Sequence, residues 1–294
     1  MLRGLGTAAA GMIANQRRHD TVTNNIANLN TPGYKANNAV QRSFPEMMIS
    51  LMGGGEGSAA VSSVGKLNTG VFSEEAPAVY IQGDLMETKD LSDFAIVSSI
   101  QVPGITFEAS GKYVSPDGEV RFQPQAMFVV RTSSGDEKYT RNGKFTIDAS
   151  GQLVTSEGHL VLDSERRPIR FDRNVSELKI TPEGGLIDGI SGAPVTDEDG
   201  APIRFMIARI EDPNRLIREG NGNFRLPEGD EEPDAVAPED DVQVFQGFVE
   251  RSNVDPVQTT IDLMAAQRAY ETNQRVVQFY DKSLEKAVNE VGRV

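Results

Sequence analysis

Few residues in this chain have the chemistry for catalysis. There are two histidines, His19 and His159, and no cysteine or tryptophan. Neither histidine has a partner at a metal-ligand or triad spacing. His19 falls on a helix seam as a tolerated interface residue, and His159 follows a glycine in a hairpin and is expected to be exposed. Paired carboxylates hydrolyse sugars when one is buried with a raised pKa, but here the acidic residues lie mostly in turns and linkers. No P-loop or dinucleotide-binding loop is present. A cell-wall hydrolase is therefore a poor reading, and no catalytic residue, metal ligand or cofactor is assigned.

The amides are the more informative polar groups. Asn24, Asn25, Asn28 and Asn30 crowd into seven residues. Asparagine competes with the backbone for hydrogen bonds and weakens a helix interior. Helix termination accounts for Asn28 and Asn30. Asn24 and Asn25 lie one turn inside, where buried amides would set register across a helix–helix or subunit contact, as a lone Asn does in a coiled coil.

Two long helices must position these groups. The first is expected from Leu2 to Leu29, about 42 Å of rod. Leu5, Met12, His19 and Ile26 fall at one heptad position, and Ala8, Asn15, Val22 and Leu29 at the other, giving a narrow stripe. Pro32 and Gly33 end it. The second opens with Asp255, Pro256 and Gln258 at N-cap, N1 and N3 and runs to about Glu290, about 50 Å. Val257, Ile261, Met264, Ala265, Ala269, Thr272, Val276, Phe279, Tyr280 and Ala287 share one side of it. Each helix has a stripe to bury against the other or against further copies of the chain. Ordering a residue costs roughly 1–2 kcal/mol and isolated helices are marginal, so both ends are expected to be dynamic in the free monomer.

Between the helices the texture changes. Met47 to Gly70 is rich in Gly, Ser, Ala and Met and reads as a connector of low intrinsic order. From Val79 to Leu226, turn signals such as Pro116-Asp117-Gly118 and Ala149-Ser150-Gly151 separate short strands at Ala126–Thr132, Lys144–Ile147, Leu160–Leu162, Glu177–Ile180 and Ile203–Ile210, an antiparallel β domain. Pro227 to Asp241 holds eight acidic residues and three prolines and is expected to be a solvated linker. The fold class is thus α+β, divided as 1–45 with 246–294 (helical), 46–78 (connector), 79–226 (β) and 227–245 (acidic linker).

Composition narrows the partners. With 43 Asp and Glu against 29 Lys and Arg the net charge is −14, which repels nucleic acid and anionic lipid. No apolar run is long enough to span a bilayer. The N-terminus lacks the continuous hydrophobic region of a secretory signal, so export would need another route.

Three stretches carry a family resemblance. Asn24-Asn25-Ile26-Ala27-Asn28-Leu29-Asn30-Thr31-Pro32-Gly33-Tyr34-Lys35 resembles the N-terminal signature of the bacterial flagellar rod and hook family. Gly247 to Asp255, containing Ser252, Asn253 and Val254, and Gln267-Arg268-Ala269-Tyr270-Glu271 resemble its C-terminal signature. Tyr139-Thr140-Arg141-Asn142-Gly143-Lys144-Phe145, followed by Asp148, Gly151 and Leu153-Val154-Thr155, resembles its central one.

The resemblance implies a non-catalytic basal-body rod subunit, most like the distal-rod or Gram-positive hook–basal body proteins. Its expected partners are copies of itself, other rod and hook subunits, the flagellar type III export apparatus and the surrounding peptidoglycan. It would be exported and stacked helically into a hollow drive shaft, with its terminal helices inside and its β domain outside. Asn24, Asn25, Ala27, Asn28, Asn30, Thr31, Gly33, Tyr34, Ser252, Asn253, Val254, Gln267, Arg268, Ala269 and Tyr270 would then be subunit-interface residues. Residues 97–125 depart from the family pattern as an insertion, which favours a lineage-specific variant. A secreted β-rich adhesin or hook-cap-like protein is the competing reading.

Overall fold

The computed structural model describes residues 2–51, 62–74, 77–108, 111–171, 178–196 and 200–291. They form two compact units, neither continuous in sequence. One is drawn from Met1–Ala27, Asn37–Pro77 and Asp255–Val294, the other from Asn28–Ala36 and Ala78–Val254.

In the first unit, helix α1 (Leu2–Ala27) lies against helix α2 (Pro256–Lys286), and a short π turn, Ala287–Val291, extends the second. The expected start of α2 is correct in detail. Asp255 is the N-cap, its carboxylate accepts from the N–H groups of Val257 (2.8 Å) and Gln258 (3.0 Å), and Pro256 follows at N1, where no N–H is needed. α1 stops two residues short of Leu29, because Thr31 N–H turns back to the Asn28 carbonyl.

The buried seams differ from the expected ones. Gly4 faces Tyr280, Gly11 faces Asn273, and Arg18 pairs with Asp262 at 2.7 Å, so the helices run antiparallel. On α1 the seam is Gly4, Ala8, Gly11, Ala14, Val22 and Asn25, with Leu5, Met12, His19 and Ile26 half-buried on its flank. On α2 it is Thr259, Leu263, Ala266, Tyr270, Asn273 and Tyr280, while Val257, Ile261, Met264, Val276 and Phe279 are 38–69% exposed. The reason is size. The glycines and alanines of α1 leave room for the Tyr280 phenol and the Asn273 amide of α2, and the larger side chains of α1 lie to the flank. A Cβ on Gly11 would sit 2.8 Å from the Asn273 amide, and one on Gly4 would collide with the Tyr280 phenol.

Part of the stretch expected to be a loose connector also belongs to this unit. Gln41–Ser43 pairs with Val71–Ser73, and Met47–Leu51 with Ser62–Leu67. α1 packs on the first ladder, with Arg17 donating to the Ser73 carbonyl. The glycine-rich centre, 52–61, lies outside the described residues.

The β unit is organised around Gln125–Arg131, a nearly continuous buried strand. It pairs antiparallel with Glu137–Thr140, Leu160–Val161 and Ile207–Ile210. Side chains alternate along a strand, so this one serves two cores. Ala126, Phe128 and Val130 join Phe94, Phe145 and Phe205; Met127 and Val129 join Leu162, Met206 and Phe224. The run expected at Ile203–Ile210 is a regular strand only over Ile207–Ile210, its first half forming single bridges. The inserted stretch folds back as a hairpin, Lys112–Val114 with Val120–Phe122, after Ile100 is fully buried.

The acidic segment is not a free linker. Arg209 bonds both carboxylate oxygens of Asp240, Arg215 bonds Asp230, and Arg166 bonds Glu232. Val236 N–H donates to the Ile207 carbonyl, so the segment lies along the sheet. Its neighbour Val242–Gln246 pairs with Phe94–Ser98, and Phe248–Glu250 with Leu85–Glu87. The change from sheet to helix therefore falls between Val254 and Asp255 rather than at 246.

Substituting Gly11→Val should lower the stability of the helical unit by about 1–3 kcal/mol. The expected reading is an earlier far-UV circular dichroism melt with the near-UV signal of the β unit unchanged.

Candidate functional site

Three separate sequence stretches meet in the β unit at a buried ionic cluster. Lys35 Nζ lies 2.6 Å from Glu250 Oε1, and Arg141 Nε lies 2.9 Å from Glu250 Oε2. All three side chains are about 1% exposed. The remaining polar atoms are met by backbone: Lys35 also donates to Ile81 O, Gly83 N–H donates to Glu250 Oε1, and Arg141 donates to Ala126 O and Ile96 O. Ser98 and Gln82 take its other bonds.

Burial alone would raise the Glu250 carboxyl, but Arg141 and Lys35 beside it, with the bonds from Lys35 and Gly83, hold it below the usual glutamate value. Burial pushes Lys35 down to about 8, opposed by Glu250 and reinforced by Arg141. Removing one partner from such a cluster strands the others' charge and costs about 3–5 kcal/mol, a large part of the roughly 5–15 kcal/mol that a domain has.

The residues around the cluster hold the same junction. Gly33 has φ +69°, and a Cβ there would come within 2.5 Å of the Arg141 backbone, so only glycine fits. Its N–H donates to the Glu250 carbonyl at 2.8 Å. Tyr34 is buried beneath the Arg218 guanidinium, 4.8 Å from the ring centroid; burial raises its phenol pKa, with Arg218 opposing. Asn253 donates to Val79 O and Ile81 O and accepts from Ala36 N–H, so its amide ties together two segments distant in sequence. Thr31 Oγ1 donates to Asn28 Oδ1, Ser252 Oγ accepts from Val254 N–H, and Val254 is buried.

Of the expected interface residues, Thr31, Gly33, Tyr34, Ser252, Asn253 and Val254 are thus brought together within one chain. Asn25, expected at a helix–helix or subunit contact, makes hydrogen bonds within its own unit. Its amide and carbonyl both bond the Asn37 backbone, at 2.8 and 3.0 Å, joining the end of α1 to the segment that returns beside it. Asn24, Ala27, Asn30, Gln267 and Arg268 are exposed, and Ala269 and Tyr270 half-buried.

His159 is also corrected. It is mostly covered, its Nε2 3.1 Å from Glu157, which accepts from Asn221 and Asn223 as well. Lys35, Arg141 and Glu250 went unrecognised in the sequence as a site, although each lies inside or beside a motif.

Comparison with known proteins gives the class, that of the bacterial flagellar axial proteins. Three family models match in chain order: the flagella basal body rod protein at 5–35, the flagellar hook protein FlgE/F/G D1 domain at 123–187, and the flagellar basal body rod FlgEFG protein C-terminal at 246–290. The chain is 32% identical over 303 residues to the flagellar hook-basal body complex protein FlhO of Bacillus subtilis (strain 168), covering 100% of each. It is 29% identical over 297 residues to the flagellar basal-body rod protein FlgG of Borreliella burgdorferi, with 98% of each covered. Against FlgF of Mesorhizobium japonicum it is 28% identical over 292 residues, with 99% of each covered. The chain belongs to the flagellar basal-body rod and hook–basal body family.

Glu250→Gln should cost the β unit about 3–5 kcal/mol in urea unfolding. Because the Glu250 pKa is lowered in the folded state, its contribution is complete at and above the ordinary glutamate range. It is lost as pH falls through the lowered value. The native chain should therefore lose more stability there than E250Q does.

Proposed function

We propose that this chain is a structural, non-catalytic subunit of the flagellar basal-body rod that associates with other flagellar axial proteins and with copies of itself through its terminal helices. The observation that carries the reading is the second face of α2. One side of the helix is filled by α1, yet Val257, Ile261, Met264, Val276 and Phe279 remain exposed on another. Ile13 of α1 is exposed as well, at 57%. Apolar side chains repeated along a helix are costly to leave in water, each returning about 1.5–3 kcal/mol on full burial. A polymer of identical subunits supplies the missing cover at every turn without a further partner.

Coiled-coil-like packing of the helices between copies, a hollow shaft that transmits torque and conducts exported subunits, and passage through the type III export apparatus are the finer parts of the proposal. The small-residue seam of α1 supports it, because a weakly buried helix pair is easily held open before assembly. Contact of the β unit with peptidoglycan is a further part of the proposal, resting on membership of the basal-body family.

Phe279→Asp and Ile261→Asp change exposed positions and should leave monomer stability within about 0.5 kcal/mol. Both should abolish helical polymer formation and motility in a strain dependent on this chain. Deleting 1–35 or 255–294 should do the same. Normal rods with altered surface attachment would instead indicate an adhesin.

A further inference from the structure

Two stretches of the β unit are alike when set side by side. Residues 145–171 and 178–205 share Ile147 with Ile180, Gly151 with Gly184, Leu153 with Leu186, Gly158 with Gly192 and Val161 with Val195. Each closes on the same four residues, Pro168-Ile169-Arg170-Phe171 and Pro202-Ile203-Arg204-Phe205. Only one added residue, before Gly192, separates the two patterns.

The backbone repeats bond for bond. Leu153 N–H donates to Ile169 O at 3.0 Å, and Leu186 N–H to Ile203 O at 2.9 Å. Ile169 N–H donates to Val161 O at 2.9 Å, and Ile203 N–H to Val195 O at 2.8 Å. Phe171 N–H donates to Gly151 O, and Phe205 N–H to Gly184 O. The opening turns agree too. Asp148 Oδ1 accepts from Gln152 N–H where Thr181 Oγ1 accepts from Gly185 N–H, and Gly151 and Gly184 have φ +81° and +78°. The leucine, isoleucine and phenylalanine of both stretches enter one core.

The copies part at one edge. In the first, Leu160 and Val161 pair antiparallel with Arg131 and Val130 of the central strand, and Leu162 N–H donates to Val129 O at 3.1 Å. The equivalent residues in the second are Pro194, Val195 and Thr196. Val195 keeps its inward bond to Leu186 O at 2.9 Å. Among the described residues no strand lies along the outward side, and Ala193, Pro194 and Thr196 are exposed. An uncovered edge of this kind is a template for pairing with another chain. Here the position that the first copy fills with leucine carries a ring with no N–H to donate.

We infer that 145–171 and 178–205 are two copies of one structural unit, and that Pro194 shuts the second copy's outer edge against strand addition by a second copy of the chain. The inference stands whether or not the chain builds a rod. It assigns Pro194 a role in assembly specificity, keeping self-association away from the β unit.

The test is sedimentation velocity of the full chain over a range of concentrations, in a Phe279→Asp background that removes association through the helix face. Pro194→Leu restores the first copy's residue, and Pro194→Ala serves if the leucine variant does not fold. Either should self-associate roughly tenfold more tightly than the parent, the worth of one or two recovered backbone bonds. Adding Thr196→Lys to the exposed edge should reverse the gain. Folded Pro194 variants that sediment like the parent at every concentration would overturn the inference, as would association that Thr196→Lys leaves unchanged.

Discussion

A single carboxylate, that of Glu250, gathers the β unit. It receives Lys35 from the N-terminal segment and Arg141 from the middle of the chain, at positions 215 and 109 residues away. None of the three charges would be tolerated in that interior alone, since an isolated buried ion costs far more than one lost hydrogen bond returns. Each is acceptable only because the other two and a shell of carbonyls and N–H groups are already placed. The surrounding details serve the same closure: Gly33 gives the backbone room, and Asn253 ties the segments at Ala36 and Val79 together. The cluster therefore acts as a check that three distant stretches are correctly seated, a role in specificity more than in net stability.

The helical unit follows a different logic. Its internal contact is made by small residues of α1 against larger ones of α2, and leaves a further row of large apolar residues on the far side of α2. A helix with one covered and one uncovered apolar face suits association of repeated copies. The β unit, by contrast, has its acidic segment held down by arginines, and its inserted stretch is folded into a hairpin.

Local features were legible in the sequence. The start of α2 could be read from Asp255, Pro256 and Gln258 because capping depends on neighbours within one turn, and most strands lay between the turns that bound them. Features set by distant partners were hidden. The acidic segment looked solvated because Arg166, Arg209 and Arg215, which hold it, come from elsewhere in the chain. Hydrophobicity marks the stripe of Leu5 and Met12, whereas the contact between the two helices of one chain selects Gly4 and Gly11 beside it. For the junction, the motif residues were recognised, but Lys35, Arg141 and Glu250 were not, since nothing local announces that charges so far apart in sequence will meet.

The dispersal of the β unit along the polypeptide also bears on the order of events in folding. Bringing Lys35 to Glu250 closes a loop of roughly 200 residues, for which the length-dependent entropy alone is roughly 5 kcal/mol. Contacts of such long range slow the approach to the native state. A newly made chain must also wait for nearly its last strand before the first can settle. Until then Arg141 has no counter-charge and Phe94–Ser98 no strand beside it, so the unfinished polypeptide stays pliable for most of its synthesis.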